Sequence, residues 1–279
     1  MVARRGSRPV RRARGCRKSD GHGGVVGLAG AVGLIRSCAV VLPVVHGPRG
    51  EDGTLAALCE LAGVAYVGSG VRAGALAMDK WATKLVAEAV GVRTAAGLVA
   101  TRADTLAFTG PVVVKPVSSG SSHGVTRVDR AEHLAGALEL ALSLDDRALV
   151  EEVVHGREID LAVLRAPDDT LLVAPALEVV GEGVFDTETK YDGSAVFRLP
   201  ADLDDVQRKE LEAAAVTMYE ALGCRGVARI DFFLTASGPV LNEVNTMPGM
   251  TEQSQVPKMF AAAGLPYPEL LDLMVCAAR

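Results

Sequence analysis

Val227–Thr251 reads VARIDFFLTASGPVLNEVNTMPGMT, and its reading decides how the rest of the chain is organised. Ile230 to Leu234 is an apolar run, Thr235 to Gly238 are turn residues, and Val240 to Val244 resumes the strand pattern. A hairpin would bring Asp231, Glu243 and Asn245 to one end. Glu243 and Asn245 lie two apart and so face one side of a strand. Two carboxylates and an amide are all-oxygen donors, suited to a hard cation that also holds phosphates. Arg229 shares the face of Asp231 and adds positive charge. Alone, the stretch would equally suit an ordinary surface hairpin carrying acidic residues.

The chain has 279 residues, 49% of them hydrophobic and 23% charged, enough for two or three small domains around a large core. Its net charge is −5, yet residues 1–18 carry eight Lys/Arg and no acid, leaving −13 on the rest. That body does not suit nucleic acid. Five cysteines with no CxxC or Cys/His spacing point to a reducing compartment and away from structural zinc. No apolar run reaches the roughly 18 residues of a membrane span. A soluble, cytoplasmic protein is expected.

Residues 1–23 are basic and aperiodic, and residues 24–35 are a short apolar run. Together they imitate a signal peptide, but an atypical or mis-assigned start is the preferred reading. Residues 38–45 (CAVVLPVV) read as a buried strand ending in the polar loop 46–53. A helix over 54–62, capped by Gly63, and a strand over 64–67 follow. This βαβ rhythm predicts a parallel sheet with a site at its strand ends.

Residues 71–90 read as one helix, on which Lys80 and Lys84 would by themselves be solvated. PVVVK at 111–115 is a strand, and the small-residue loop 116–125 can wrap a polyphosphate with its N–H groups and hydroxyls. Neither a Walker A loop nor a Rossmann fingerprint is present. A helix over about 130–143 and a strand over 148–152 come next; HGREIDLAVL at 155–164 reads as a turn followed by another strand, and 171–179 as a further one. Residues 181–193 have the content of a lid loop. An amphipathic helix spans 203–222, with Leu211, Ala214, Met218 and Leu222 on one stripe. Helices over 257–263 and 268–277 close the chain.

Taken in order, HGPRGEDGT (46–54), YVGSG (66–70), AMDK (77–80), VVVKPVSSGSSHGV (112–125), VEE with GREID (150–160), TKY (189–191), GVARIDFFL (226–234) and LNEVNTMPGMT (241–251) resemble the D-alanine–D-alanine ligases of the ATP-grasp superfamily. The resemblance implies an α/β (α+β) fold, a three-domain ATP-grasp architecture with an incomplete N-terminal parallel α/β domain. The expected division is an unmatched segment 1–36, a partial substrate domain 37–68, a central subdomain 69–151 and a catalytic domain 152–279. It implies ATP-dependent ligation of two D-alanines through an acyl phosphate, for peptidoglycan precursors. ATP and two Mg²⁺ (or Mn²⁺) are the implied cofactors. The partners are small molecules, with no nucleic acid and no membrane, and the family's frequent dimerisation leaves a homodimer open.

Residue by residue, the resemblance gives Lys80 and Lys115 to the ATP phosphates, with the loop Ser118–Val125, including Ser119, Gly120 and Ser122, folded over them. Glu151 and the backbone after Glu152 match the adenine hinge, and Glu158 matches the ribose ligand. Asp231, Glu243 and Asn245 match metal ligands. Arg229 and the N–H of Gly249 match the oxyanion-stabilising pair. His46 matches a first-subsite residue. Ser121 and Tyr191 match the hydrogen-bonded pair of the lid, while Lys190 and Ser254 match groups near the second substrate's carboxylate. Tyr191 favours D-alanine over D-lactate as acceptor, though Thr187 and Thr189 depart from the usual lid.

One departure stands out. The family begins with a Gly-rich loop bearing a Ser/Glu pair that grips the first D-alanine's ammonium. None of the 45 residues before His46 reads as that motif. Three readings remain open: a displaced or frame-shifted start, a ligase for another D-amino or D-hydroxy acid, or a nucleotide-binding paralogue without ligase activity.

Overall fold

The computed structural model describes residues 27–180 and 196–278. Three sheets order the fold. The first is small. Helix α1 (Leu28–Arg36) precedes β1 (Val40–Val41), and α2 (Thr54–Ala62) crosses over to β2 (Ala65–Tyr66), which pairs with β1 in parallel. Gly63, at φ 68°, closes α2 in the left-handed conformation that favours glycine.

The expected βαβ unit is therefore present but shortened. Residues 38–45 do not form one buried strand: only two residues pair, and Leu42, Val44 and Val45 are exposed. A two-residue strand can bury little of an apolar run. The apolar run of residues 24–35 contributes α1, which has no buried residue.

The predicted single helix over 71–90 is two. Helix α3 (Val71–Met78) stops at Asp79, whose ψ of 101° is extended, and α4 (Lys80–Ala89) starts immediately after. Asp79 acts as the N-cap of α4: its carboxylate accepts from the Ala82 N–H at 2.8 Å and from Arg147 Nη2 at 2.6 Å. The first N–H of α4, at Lys80, donates to the Val117 carbonyl at 3.1 Å. The cap thus ties α4 to the loop that follows β4. Gly53 and Gly74 set α2 against α3. A Cβ on Gly53 would lie 2.6 Å from the Val71 carbonyl oxygen, and one on Gly74 would lie 2.7 Å from the Glu51 carbonyl oxygen.

The second sheet has the order β3–β6–β4–β5, made of Gly97–Ala100, Ala148–Glu152, Val112–Pro116 and Thr126–Val128, all antiparallel. Strand β3 is new relative to the sequence reading, hidden by its short length. Helix α5 (Ala131–Leu144) covers this sheet through Leu134, Ala137 and Ala141.

The third sheet holds β10 (Val196–Arg198), β9 (Leu177–Val180), β7 (Arg157–Arg165), β11 (Val227–Thr235) and β12 (Gly238–Asn245) in that order, with β8 (Leu171–Val173) on β7. The strand expected over 171–179 is split into β8 and β9. Helix α6 (Asp205–Leu222) opens on a reciprocal capping box between Asp204 and Gln207. It buries Leu211, Met218, Tyr219 and Leu222 against Ile230 and Phe232. Ala73, Ala77 and Ala87 of α3 and α4 join the same core. The other face of the sheet packs Ala162, Leu164 and Val227 against Met259 and Phe260 of α7 (Gln255–Ala262) and Leu270 of α8 (Tyr267–Cys276). Strand β11 is therefore covered on both sides. No single helix among the described residues is long and apolar enough to cross a membrane.

Replacing Asp79 by Ala removes the cap of α4 and the Arg147 ion pair together. We expect a loss of about 1–2 kcal/mol of unfolding free energy, read as a lower urea midpoint at unchanged m-value.

Candidate active site

The register of β7, β11 and β12 builds the acidic side of the site. Asp160 faces Asp231, which faces Glu243, while Arg229 faces Asn245. Directly opposed residues of antiparallel strands point to one face, so these side chains share the face that is apolar further along, at Val227 and Leu164. A break in register between Asp231 and Phe232 lies beside them.

Asp231 is almost fully buried, and its two oxygens accept from Arg229 Nε at 2.8 Å and Nη2 at 2.7 Å. Arg229 Nη1 donates to Gln255 Oε1 at 2.8 Å, and Gln255 Nε2 donates to Asp160 Oδ2 at 3.0 Å. Asp160 is 2% exposed, and its Oδ1 has no hydrogen-bond partner.

The titration directions follow. Burial, then the neighbouring Asp231, pushes the Asp160 carboxyl well above the usual range. Burial disfavours the Arg229 cation, but Asp231 and Asp160 outweigh it and hold its proton more tightly than normal.

The opposite side is cationic. Lys80 Nζ donates to the Ser119 carbonyl and lies 4.0 Å from Glu243 Oε2. Glu151 accepts from Lys84 at 2.6 Å on Oε1 and from Lys115 at 2.5 Å on Oε2. Lys84 also donates to the Ala95 carbonyl. Both α4 lysines are thus turned inward, against the solvated positions expected of an isolated helix. Burial raises the Glu151 pKa, but Lys115 and Lys84 outweigh it and leave the carboxyl below the ordinary 4.5. Burial likewise pulls the Lys80 pKa down, only partly opposed by Glu243.

Between these sides the loop after β4 folds back on itself. Ser121 and Ser122 take positive φ (53° and 56°), a costly conformation for residues with a Cβ that recurs at functional sites. The His123 N–H donates to the Gly120 carbonyl and Ser119 Oγ to the His123 carbonyl. Gly124 takes φ 76°, a conformation that favours glycine, and a Cβ there would press on the Pro116 ring at 3.0 Å.

A cavity of about 480 Å³ lies below the loop, walled by Lys80, Lys115, Ser119, Ser122, Glu151, Glu158 and Glu243. It is the size of a small-molecule site. The structure therefore gathers most of the expected nucleotide contacts with one expected metal ligand. Glu152 does not line it: its carboxylate accepts from the Ala96 N–H at 2.9 Å. Arg229, Asp231 and Asn245 do not line it either. Asn245 Oδ1 accepts from the Met247 N–H at 2.9 Å.

His46 is half-exposed and 3.9 Å from Glu51, whose Oε2 accepts from the Gly47 N–H at 2.6 Å. Ser254 Oγ accepts from the Thr251 N–H and lies 3.0 Å from where a Gly249 Cβ would stand. Lys190 and Tyr191 lie outside the described residues, so the lid expectations do too.

No group of three or more His, Cys, Asp and Glu side chains among the described residues is arranged as a metal cage. The expected set needs only two carboxylates and an amide. Its chemistry fits a hard cation, because Asp231, Glu243 and Asn245 offer oxygens from one sheet face beside an under-satisfied buried carboxylate.

Sequence reasoning missed Asp160, Lys84 and Gln255 as parts of this site. Asp160 lies two residues beyond Glu158 on a strand, and Lys84 one helical turn beyond Lys80, so periodicity alone could have added them. Gln255 had no such signal.

The C-terminal model of the D-ala D-ala ligases matches residues 84–276, and the N-terminal model matches residues 10–69. The chain belongs to the D-alanine–D-alanine ligase family. The N-terminal match begins inside the basic stretch where no family motif was legible.

The D-alanine–D-alanine ligase of Mycolicibacterium gilvum is 44% identical over 270 residues, covering 91% of this chain and 74% of that protein. Its counterpart in Mycobacterium tuberculosis is 43% identical over 261 residues, covering 88% and 70%. Among solved structures, the Bacillus anthracis D-alanine–D-alanine ligase complexed with ATP superposes with a TM-score of 0.79 at 27% identity, covering 91% of this chain and 83% of that one. The VanG D-Ala:D-Ser ligase of Enterococcus faecalis gives 0.76 at 38% identity, covering 85% and 72%.

Glu151 makes the acid limb of stability testable. Its folded pKa is depressed, so its contribution to stability is complete above the unfolded pKa and lost as pH falls through the folded one, below 4.5. Glu151→Gln leaves two buried lysines without their carboxylate and should cost about 3 kcal/mol at neutral pH. It should also flatten the acid limb of stability against pH, measured by urea unfolding from pH 7 to 3.

Proposed function

We propose that this chain joins two D-alanines into D-alanyl-D-alanine at the expense of ATP, in the cytoplasm, for peptidoglycan precursors. One observation carries the reading. In a member of this ligase family, Lys80 and Glu243 meet at 4.0 Å across a cavity that also holds Lys115. A cationic clamp opposite a carboxylate sheet suits phosphoryl transfer from a nucleotide to a carboxylate.

In this reading the phosphates lie under Ser119, Gly120 and Ser122, between Lys80 and Lys115, and the ribose hydroxyls meet Glu158. Glu151 holds the Lys115 ammonium in place at 2.5 Å, and the backbone after Glu152 faces the adenine. Asp231, Glu243 and Asn245 would hold two Mg²⁺, which neutralise charge on the phosphates when bound.

The first D-alanine lies near His46, and a carboxylate oxygen bonds to the γ-phosphorus of ATP as the bond to the β–γ bridging oxygen breaks, giving an acyl phosphate and ADP. The amine of the second attacks that carbonyl carbon, loses a proton, and the tetrahedral adduct expels phosphate. Arg229 and the Gly249 N–H face its oxyanion. Ser254 and Lys190 would receive the second carboxylate, and Ser121 with Tyr191 would close the lid. The divisions at residues 36, 68 and 151 are proposed as the domain boundaries.

The VanG relative's name specifies D-serine, which makes the acceptor worth testing. Mass spectrometry of mixtures with ATP, Mg²⁺ and D-alanine, then with D-serine or D-lactate added, is expected to give D-Ala-D-Ala as the main product. A mixed product as the main species would assign another acceptor. Nucleotide binding without phosphate release would refute ligase activity.

Glu243→Ala is expected to lower phosphate release by about 10³-fold or more while the fold persists. Circular dichroism and a phosphate-release assay check both halves, and near-normal turnover would remove Glu243 from the site.

A further inference from the structure

Arg229 has five N–H donors in a rigid fork. Asp231 takes two of them and Gln255 takes one. Two remain, one on each terminal nitrogen, to face a reacting group. Two features of the third contact are unusual. Gln255 is the first residue of α7, directly after Ser254, and Ser254 Oγ pairs with Thr251 Oγ1 at 2.8 Å and packs against Gly249. Its other amide end is held by Asp160, a carboxylate buried to 2% exposure whose second oxygen has no partner. Burying such a group costs free energy, and packing alone would be better served by an apolar residue at that position.

We infer that Asp160 and Gln255 are positioning residues: a buried relay, Asp160–Gln255–Arg229, that ties the Arg229 fork on β11 to the Gly249–Ser254 turn. It rests on the functional reading above, in which Arg229 and the Gly249 N–H serve one oxyanion. Those two donors come from different segments, and the spacing between them is set by what bridges β11 to the start of α7. Gln255 is that bridge. Asp160 helps fix which way the amide points: its Oδ2 accepts from the NH₂ end, and Oε1 is left for the guanidinium, which can only donate. The relay also holds Arg229 on a nitrogen that Asp231 does not use. Arg229 therefore keeps an anchor when Asp231 turns to another partner.

The test uses the full chain with Gln255→Leu, Asp160→Leu, Asp160→Asn and the double leucine variant. Gln255 lies at a partly exposed helix start, so its variant is expected to fold even where Asp160→Leu does not. Two readouts are taken. Nitrogen-15 arginine NMR follows rotational exchange of the Arg229 Nη groups, which needs no turnover. Loss of one charge-assisted hydrogen bond in Gln255→Leu should speed that exchange about tenfold or more.

Phosphate release should show kcat down about 10- to 100-fold with KM for ATP and D-alanine within about twofold. The double variant should be no slower than the slower single one, the mark of one shared unit. Asp160→Asn, whose oxygen can still accept from Gln255, should recover most of the rate. Unchanged Arg229 exchange in Gln255→Leu, wild-type kcat in that variant, or additive losses in the double would each overturn the relay. Absence of turnover in the wild type would sink the ligase reading alone, and the NMR arm would still decide the relay.

Discussion

Arg229 sits on a strand covered on both faces, and a guanidinium there is tolerable only if anions surround it. Asp231 supplies a two-pronged contact from the same strand, Asp160 stands 3.7 Å away on β7, and Glu243 lies opposite Asp231 on β12. This demand fixes the register of three neighbouring strands, since a slip of one residue would send each charge into the apolar layer under α6. The same sheet face carries Val227 and Leu164 beneath α7 and α8. Its change from apolar to ionic along one strand marks where the packed core ends and the chemistry begins.

The cationic wall obeys the same rule in mirror image. Lys84 and Lys115 are buried around one carboxylate, and Lys80 faces Glu243. A polyphosphate entering between the walls would meet cations already oriented and partly dehydrated, so little reorganisation is left for binding. Asp79 matters here through geometry. By stopping α3 and starting α4, it fixes where Lys80 leaves the backbone, and the Lys80–Val117 hydrogen bond sets that point against the phosphate loop.

Much of this was legible in the sequence. The hairpin Val227–Asn245, the long helix of residues 205–222 and the small-residue loop each carry a strong local pattern, and the structure keeps them. What the pattern could not supply was context. Residues 71–90 look helical throughout because Asp is tolerated in helices, and only the Arg147 and Ala82 contacts reveal Asp79 as a cap. CAVVLPVV looks like a buried strand because hydropathy cannot report how small a sheet will be. Lys84 looked solvated because its partner, Glu151, lies 67 residues away. Asp160 and Gln255 escaped for the same reason: their roles exist only once β7, β11 and α7 are brought together.

Gly53 and Gly74 touch backbone to backbone, with no room for even one methyl group on either. Contacts of this kind have no adjustable parts, unlike side chains that can repack around a neighbour's change. Side chains such as the exposed Leu61 and Val206 have room to change, while Gly53 and Gly74, where the 46–53 loop meets α3, have none. Because Glu51 and His46 lie in that loop, the small first sheet and its loop are fastened to the rest by their least permissive joint.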